Sequence, residues 1–135
     1  MIRTYNKGEG VKFNELYTSS DFDCKCQDCK HTVVDSDLVD KLYVMSMDIG
    51  GKLTVTSGYR CPEYQKQLKL RGYDTAAGVS QHQLGRAADI VKEPIPGYEL
   101  EGFANRAGFK AIGIGRSFIH VDLRSDIGRR WKYTY

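Results

Sequence analysis

Three segments hold the side chains with the most chemical capacity: Ser57-Gly58-Tyr59-Arg60, the run from Ser80 to Asp89 (SQHQLGRAAD), and Phe118-Ile119-His120-Val121-Asp122. The chain has 3 histidines, and two of them, His82 and His120, fall in these segments. Neutral imidazole and carboxylate both suit zinc, with bonds of about 2.0–2.2 Å. A catalytic zinc takes three protein ligands and keeps one position open for water. His82, Asp89 and His120 would make such a set. Gly85 lets the backbone turn between the first two ligands, and strand alternation would put His120 and Asp122 on one face.

A second group is built from cysteine. Cys24-x-Cys26-x-x-Cys29-x-His31 is dense, and Cys61 stands apart, directly after Arg60. A bridge between Cys24 and Cys26 would be strained across one residue. Structural zinc on Cys24, Cys26 and Cys29, completed by His31 or Cys61, is chemically reasonable, although the spacing is not that of a standard zinc finger. One disulfide with two free thiols, or four free thiols, are the other readings.

The elements that must position these groups follow from periodicity and punctuation. Residues 1–23 read as an extended, partly aromatic arm, and 1–34 as an N-terminal arm carrying the cysteines. Asp35-Ser36-Asp37 supplies N-cap candidates for a helix with Leu38, Leu42, Met45 and Ile49 on one face, stopped by Gly50-Gly51. Residues 52–56 alternate and predict a strand. Pro62 opens a helix that runs to about Leu70. Gly72 to Val79 reads as a loop, Ala87–Val91 as a short strand. Pro96 opens a helix with Leu100, Phe103, Ala104 and Ala107 on one face, ended by Gly108. Two further strands, Ala111–Ile114 and Phe118–Leu123, flank the tight connection Gly115-Arg116-Ser117. Trp131 and Tyr133 are expected to cover the core at the sheet edge. The pattern predicts one α+β domain over residues 1–135, a small central antiparallel sheet with helices packed around it.

Composition is consistent with this. At 135 residues, 41% hydrophobic and 27% charged, the chain excludes a disordered tail or a coiled coil. A net charge of +3 is too mild to indicate nucleic acid. No apolar stretch is long enough for a membrane span, and the first 20 residues carry no secretory signal pattern.

Ser80-x-His82-x-x-Gly85-x-Ala87-x-Asp89, followed by His120, resembles the zinc D-Ala-D-Ala peptidases. That group includes wall carboxypeptidases, vancomycin-resistance dipeptidases and phage endolysins, and its core is shared with the Hedgehog signalling domain. Ser57-Gly58-Tyr59-Arg60-Cys61-Pro62 and Ile119-His120-Val121-Asp122 are similar to the D,D-carboxypeptidase branch. The resemblance covers roughly residues 35–131. It implies zinc on His82, Asp89 and His120. It also implies that Arg60 polarises the scissile carbonyl and steadies the oxyanion, and that Ser80 helps hold substrate. The implied activity is a zinc metallopeptidase, carboxypeptidase or endopeptidase, acting on bacterial cell-wall stem peptides. The alternative is a catalytically weak or inactive zinc-containing binding module. The expected partner is peptidoglycan peptide, with no nucleic acid or membrane partner, and the protein is expected to be a monomer. It is expected to be made in the cytoplasm and to act at the cell wall, as a phage or prophage product would.

There is one departure. Members of the family commonly carry Asp or Glu three residues before the last histidine as general base, and here that place is Ser117. An acid restored there is expected to raise hydrolysis. Asp122 is left as either the catalytic base or the partner of a ligand imidazole.

Overall fold

A computed structural model describes residues 1–73, 80–124 and 128–135. Five strands form one sheet: β3 (Thr54–Ser57), β4 (Ala87–Val91), β5 (Ala111–Ile114), β6 (Ile119–Asp122) and β7 (Arg129–Lys132), in the order β3-β4-β6-β5-β7. All neighbours are antiparallel except β5 and β7, which run parallel. A separate two-stranded sheet pairs β1 (Ile2–Asn6) with β2 (His31–Asp35). Three helices complete the fold: α1 (Ser36–Ile49), α2 (Pro62–Leu70) and α3 (Gly97–Arg106). The fold class is α+β, as the sequence predicts.

The helices begin and end on the expected residues. Asp35 caps α1, its carboxylate accepting from the N–H of Asp37, and Gly50 closes it at φ 92°, a left-handed conformation that suits glycine. Pro62 opens α2 and Cys61 is its N-cap, accepting from Tyr64 N–H. Most of the loop predicted over 72–79 lies outside the described residues.

The sheet has a dry face and a functional face, set by strand alternation. Val55, Ala88, Ile90, Ile112, Ile119 and Val121 turn into the core, against Leu38, Leu42 and Met45 of α1 and Leu100 and Ala104 of α3. Asp89, His120 and Asp122 occupy the intervening positions and face the other side.

The first 34 residues are more than an extended arm. Tyr17 and Phe22 are fully buried in the core, and a 3-10 turn spans Ser19–Phe22. Tyr17 Oη lies 2.6 Å from Ser46 Oγ and accepts from Leu53 N–H at 3.0 Å, so its polar end is satisfied. The short, scattered apolar positions of this segment gave no periodicity. Strand β7 was also unannounced, because Arg-Arg-Trp-Lys has neither alternation nor β-branched residues.

Candidate functional site

Asp89 on β4 and His120 on β6 are direct cross-strand partners. A register shift in β3 between Val55 and Ser57 sets Ser57 beside Asp89. Such a bulge re-aims the chain that follows, here toward Gly58, Tyr59 and Arg60. His82 sits in the turn before β4. Its N–H donates to Ser80 Oγ at 3.1 Å, and its carbonyl accepts from Arg60 N–H at 3.2 Å. Gly85 at φ 73° closes that turn, and a Cβ there would lie 2.4 Å from the Val33 carbonyl oxygen. Only glycine fits the position.

One donor atom from each of His82, Asp89 and His120 gathers within 4.8 Å of the others. His82 Nδ1 lies 2.7 Å from the Gly58 carbonyl oxygen, which can only accept, so Nδ1 carries the proton. Its Nε2 is then the free lone pair, 3.4 Å from Asp89 Oδ1. His120 Nδ1 is 2.9 Å from the same Oδ1. Ligands at about 2.1 Å in a tetrahedron stand about 3.4 Å apart, so the residues fit a zinc ion with little adjustment. On its far side, His120 Nε2 lies 2.8 Å from Asp122 Oδ2.

Charges at the centre are strongly perturbed. Burial pushes the His82 imidazole down and keeps it neutral, as a ligand must be. Burial would raise the Asp89 carboxyl, but the two imidazoles hold it far below the usual carboxylate range. Burial would lower His120, yet the flanking carboxylates of Asp122 and Asp89 outweigh it and raise it. Burial would likewise raise Asp122, but hydrogen bonds from His120 and Arg124 pull it down to about 2. Arg124 Nη2 meets Asp122 Oδ2 at 2.7 Å, and Arg124 Nε meets Oδ1 at 3.0 Å.

Arg60 faces the same centre. Its Nη2 donates to Asp89 Oδ2 at 3.0 Å, its Nε to Ser57 Oγ at 2.9 Å and its Nη1 to Gln65 Oε1 at 3.3 Å. A guanidinium has five N–H donors, so two remain for a substrate oxygen. The metal cluster and Arg60 open into a cleft of about 720 Å³ that Ser80 also lines. Lys25, Arg71, Arg124, Arg129 and Lys132 line it as well, and among the described residues its carboxylates are Asp89 and Asp122.

Trp131, Tyr133, Tyr135 and Phe118 make one wall of the cleft. Trp131 and Tyr133, expected to cover the core at the sheet edge, instead face the cleft on the opposite side of the sheet, where the Trp131 ring approaches the His120 ring at a 5.4 Å centroid distance. Gly113 permits this, since a Cβ there would lie 2.5 Å from Trp131 Nε1. Ser117 is exposed in the turn between β5 and β6 and does not line the cleft. Sequence reasoning assigned no role to Gln65, whose position in α2 carries no motif signal.

The cysteine segment forms a second cluster. One Sγ from each of Cys24, Cys26, Cys29 and Cys61 lies within 4.8 Å of the rest, and all four are free thiols. His31, the alternative fourth ligand, is exposed and outside this cluster.

Comparison with known proteins gives one family finding. A family model described as Peptidase M15 matches residues 15–122. Neither a search of curated proteins nor a search of solved structures finds a match.

Proposed function

The chain belongs to the M15 family of zinc peptidases, and on that premise we propose that it hydrolyses peptide bonds of bacterial cell-wall stem peptides, of the D-Ala-D-Ala type. His82 Nε2, an Asp89 oxygen and His120 Nδ1 would hold the metal. When bound, zinc polarises a carbonyl and lowers the pKa of a water toward about 7. Arg60 points its two remaining N–H donors at the developing oxyanion, where a fixed guanidinium is worth most. The Asp122 carboxylate takes the proton of His120 Nε2 as a hydrogen bond, fixing the ring so that Nδ1 faces the metal. Ser80 holds the His82 turn and keeps its hydroxyl proton for substrate. Gln65 Nε2 is buried with no hydrogen-bond partner among the described residues and offers the substrate a donor. The cationic rim suits a peptide bearing free carboxylates.

The observation that carries this reading is the Arg60 guanidinium, which lines the same cleft as His82, Asp89 and His120 and is held 3.0 Å from the Asp89 carboxylate. Release of D-alanine or of a cut stem peptide from purified muropeptide, assayed with and without chelator, tests it. Chelator-sensitive cleavage is expected, and the absence of any product sinks the proposal.

A second reading, a zinc-containing binding module without turnover, is favoured by one feature. The two carboxylates of the described cleft are both engaged, Asp89 with the imidazoles and Asp122 with His120 and Arg124. Muropeptide that binds but is never cut supports this reading.

A further inference from the structure

The geometry points to a second metal site, a structural zinc held by the thiolates of Cys24, Cys26, Cys29 and Cys61, which clamps the N-terminal segment to the loop that carries Arg60. Four sulfurs at about 2.3 Å from a tetrahedral zinc stand about 3.8 Å apart. Cys26 and Cys61 Sγ lie 3.6 Å apart, and the four-sulfur cluster fits within 4.8 Å.

The surroundings are those of metal thiolates rather than of stored thiols. Backbone N–H groups point at sulfur: Cys29 N–H at Cys26 Sγ (3.5 Å), Cys61 N–H at Cys24 Sγ (3.4 Å) and Tyr64 N–H at Cys61 Sγ (3.4 Å). Such donors stabilise negative charge on the ligands and orient them. Four thiolates on one divalent zinc leave a net charge of −2, and the Lys7 ammonium sits 3.6 Å from Cys29 Sγ and 4.0 Å from Cys26 Sγ to offset it. Zinc binding releases the protons of those thiols that are not yet ionised.

The fold needs a crosslink here. Residues 23–30 contain no helix or strand, and a segment of that kind gains most from a clip that closes a long loop. Cys26 and Cys61 are 35 residues apart in sequence.

The test counts zinc where the two sites can be told apart. His82→Ala/His120→Ala removes two ligands of the catalytic centre and leaves every cysteine. Purified without chelator, this variant is expected to keep one zinc per chain by elemental analysis, against two in the wild type. Cobalt exchanged into it is expected to give thiolate-to-metal charge-transfer absorption. Cys26→Ser/Cys29→Ser is expected to lose that absorption and one zinc. Because the cysteine variant can fail to fold, the histidine variant decides the matter. No zinc in it, iron in place of zinc, or a mass lower by two hydrogens from a disulfide overturns the assignment.

Discussion

Asp122→Asn separates the two roles open to this carboxylate. The side chain is fully buried against His120 Nε2 at 2.8 Å and is gripped by Arg124. Asparagine keeps the shape, and its carbonyl can still accept from His120. It loses the charge, and its amide turns an N–H toward the guanidinium. Loss of such a support costs about 10- to 100-fold in metal affinity, or about 1.4–2.7 kcal/mol. A competition titration against a chromogenic chelator reads this directly. At saturating zinc, turnover should then fall by less than about tenfold, since the metal and Arg60 remain. The metal-free fold gives a second readout. Asp122 is drawn from 3.8 to about 2, a shift worth at most about 2 kcal/mol. A depressed carboxylate stabilises the fold above its unfolded pKa, and that contribution is lost as pH falls through the folded value. The wild type should therefore exceed Asp122→Asn in urea stability at neutral pH, and the difference should shrink between about pH 4 and pH 2. A variant that binds zinc as the wild type does, yet loses turnover by 10²-fold or more, about the contribution of a general base, would refute the supporting role and make Asp122 the base.

Three further outcomes are expected. His82→Ala, Asp89→Ala and His120→Ala should each empty the catalytic site while leaving any cysteine-bound zinc, and full occupancy in His120→Ala by elemental analysis would show the third ligand to be misplaced. Arg60→Ala should lower kcat by about 10²–10³ with a small change in zinc affinity, and unchanged kcat on muropeptide would remove Arg60 from the chemistry. Ser117→Glu should leave turnover within about twofold, because the residue is exposed in the β5–β6 turn and outside the cleft lining. A gain of tenfold or more in the same assay would restore position 117 as the site of the base.

The metal set was legible because ligand chemistry restricts it to few residue types, and the chain has only 3 histidines to offer. The helices were legible because caps and stops are local: Asp35, Gly50 and Pro62 each act on adjacent backbone. The surroundings of the metal set were not legible, because they come from contacts between distant segments. Gln65 reaches Arg60 only once α2 has packed. Trp131 reaches His120 only because β7 joins β5 in parallel across Gly113. The buried Tyr17 and Phe22 belong to irregular backbone, where hydrophobic periodicity has no meaning. Ser117 stands in the tight turn closed by Gly115 N–H and the Phe118 carbonyl at 2.9 Å, a placement that spacing from His120 alone does not give.

The segment from Ser57 to Cys61 links both clusters, and its conformation follows from a single close approach. A Cβ on Gly58 would lie 2.7 Å from Phe22 Cα and 2.9 Å from the Phe22 carbonyl oxygen, so only glycine lets this loop lie on the 3-10 turn. Tyr59 N–H then donates to that carbonyl at 2.8 Å. With the loop seated, the Gly58 carbonyl fixes the His82 tautomer, Ser57 Oγ holds the Arg60 guanidinium and Cys61 Sγ meets Cys26. Each of these contacts needs the backbone placed to within a few tenths of an ångström, and hydrogen bonds weaken steeply outside that range. The 3-10 turn that sets the placement is followed at once by Cys24, Cys26 and Cys29. A metal on the four sulfurs therefore fixes the two segments against each other one residue from Arg60. Losing it would disturb the arginine before the fold as a whole, so at saturating zinc in the catalytic site Cys26→Ser should lose activity at temperatures below those that unfold the sheet.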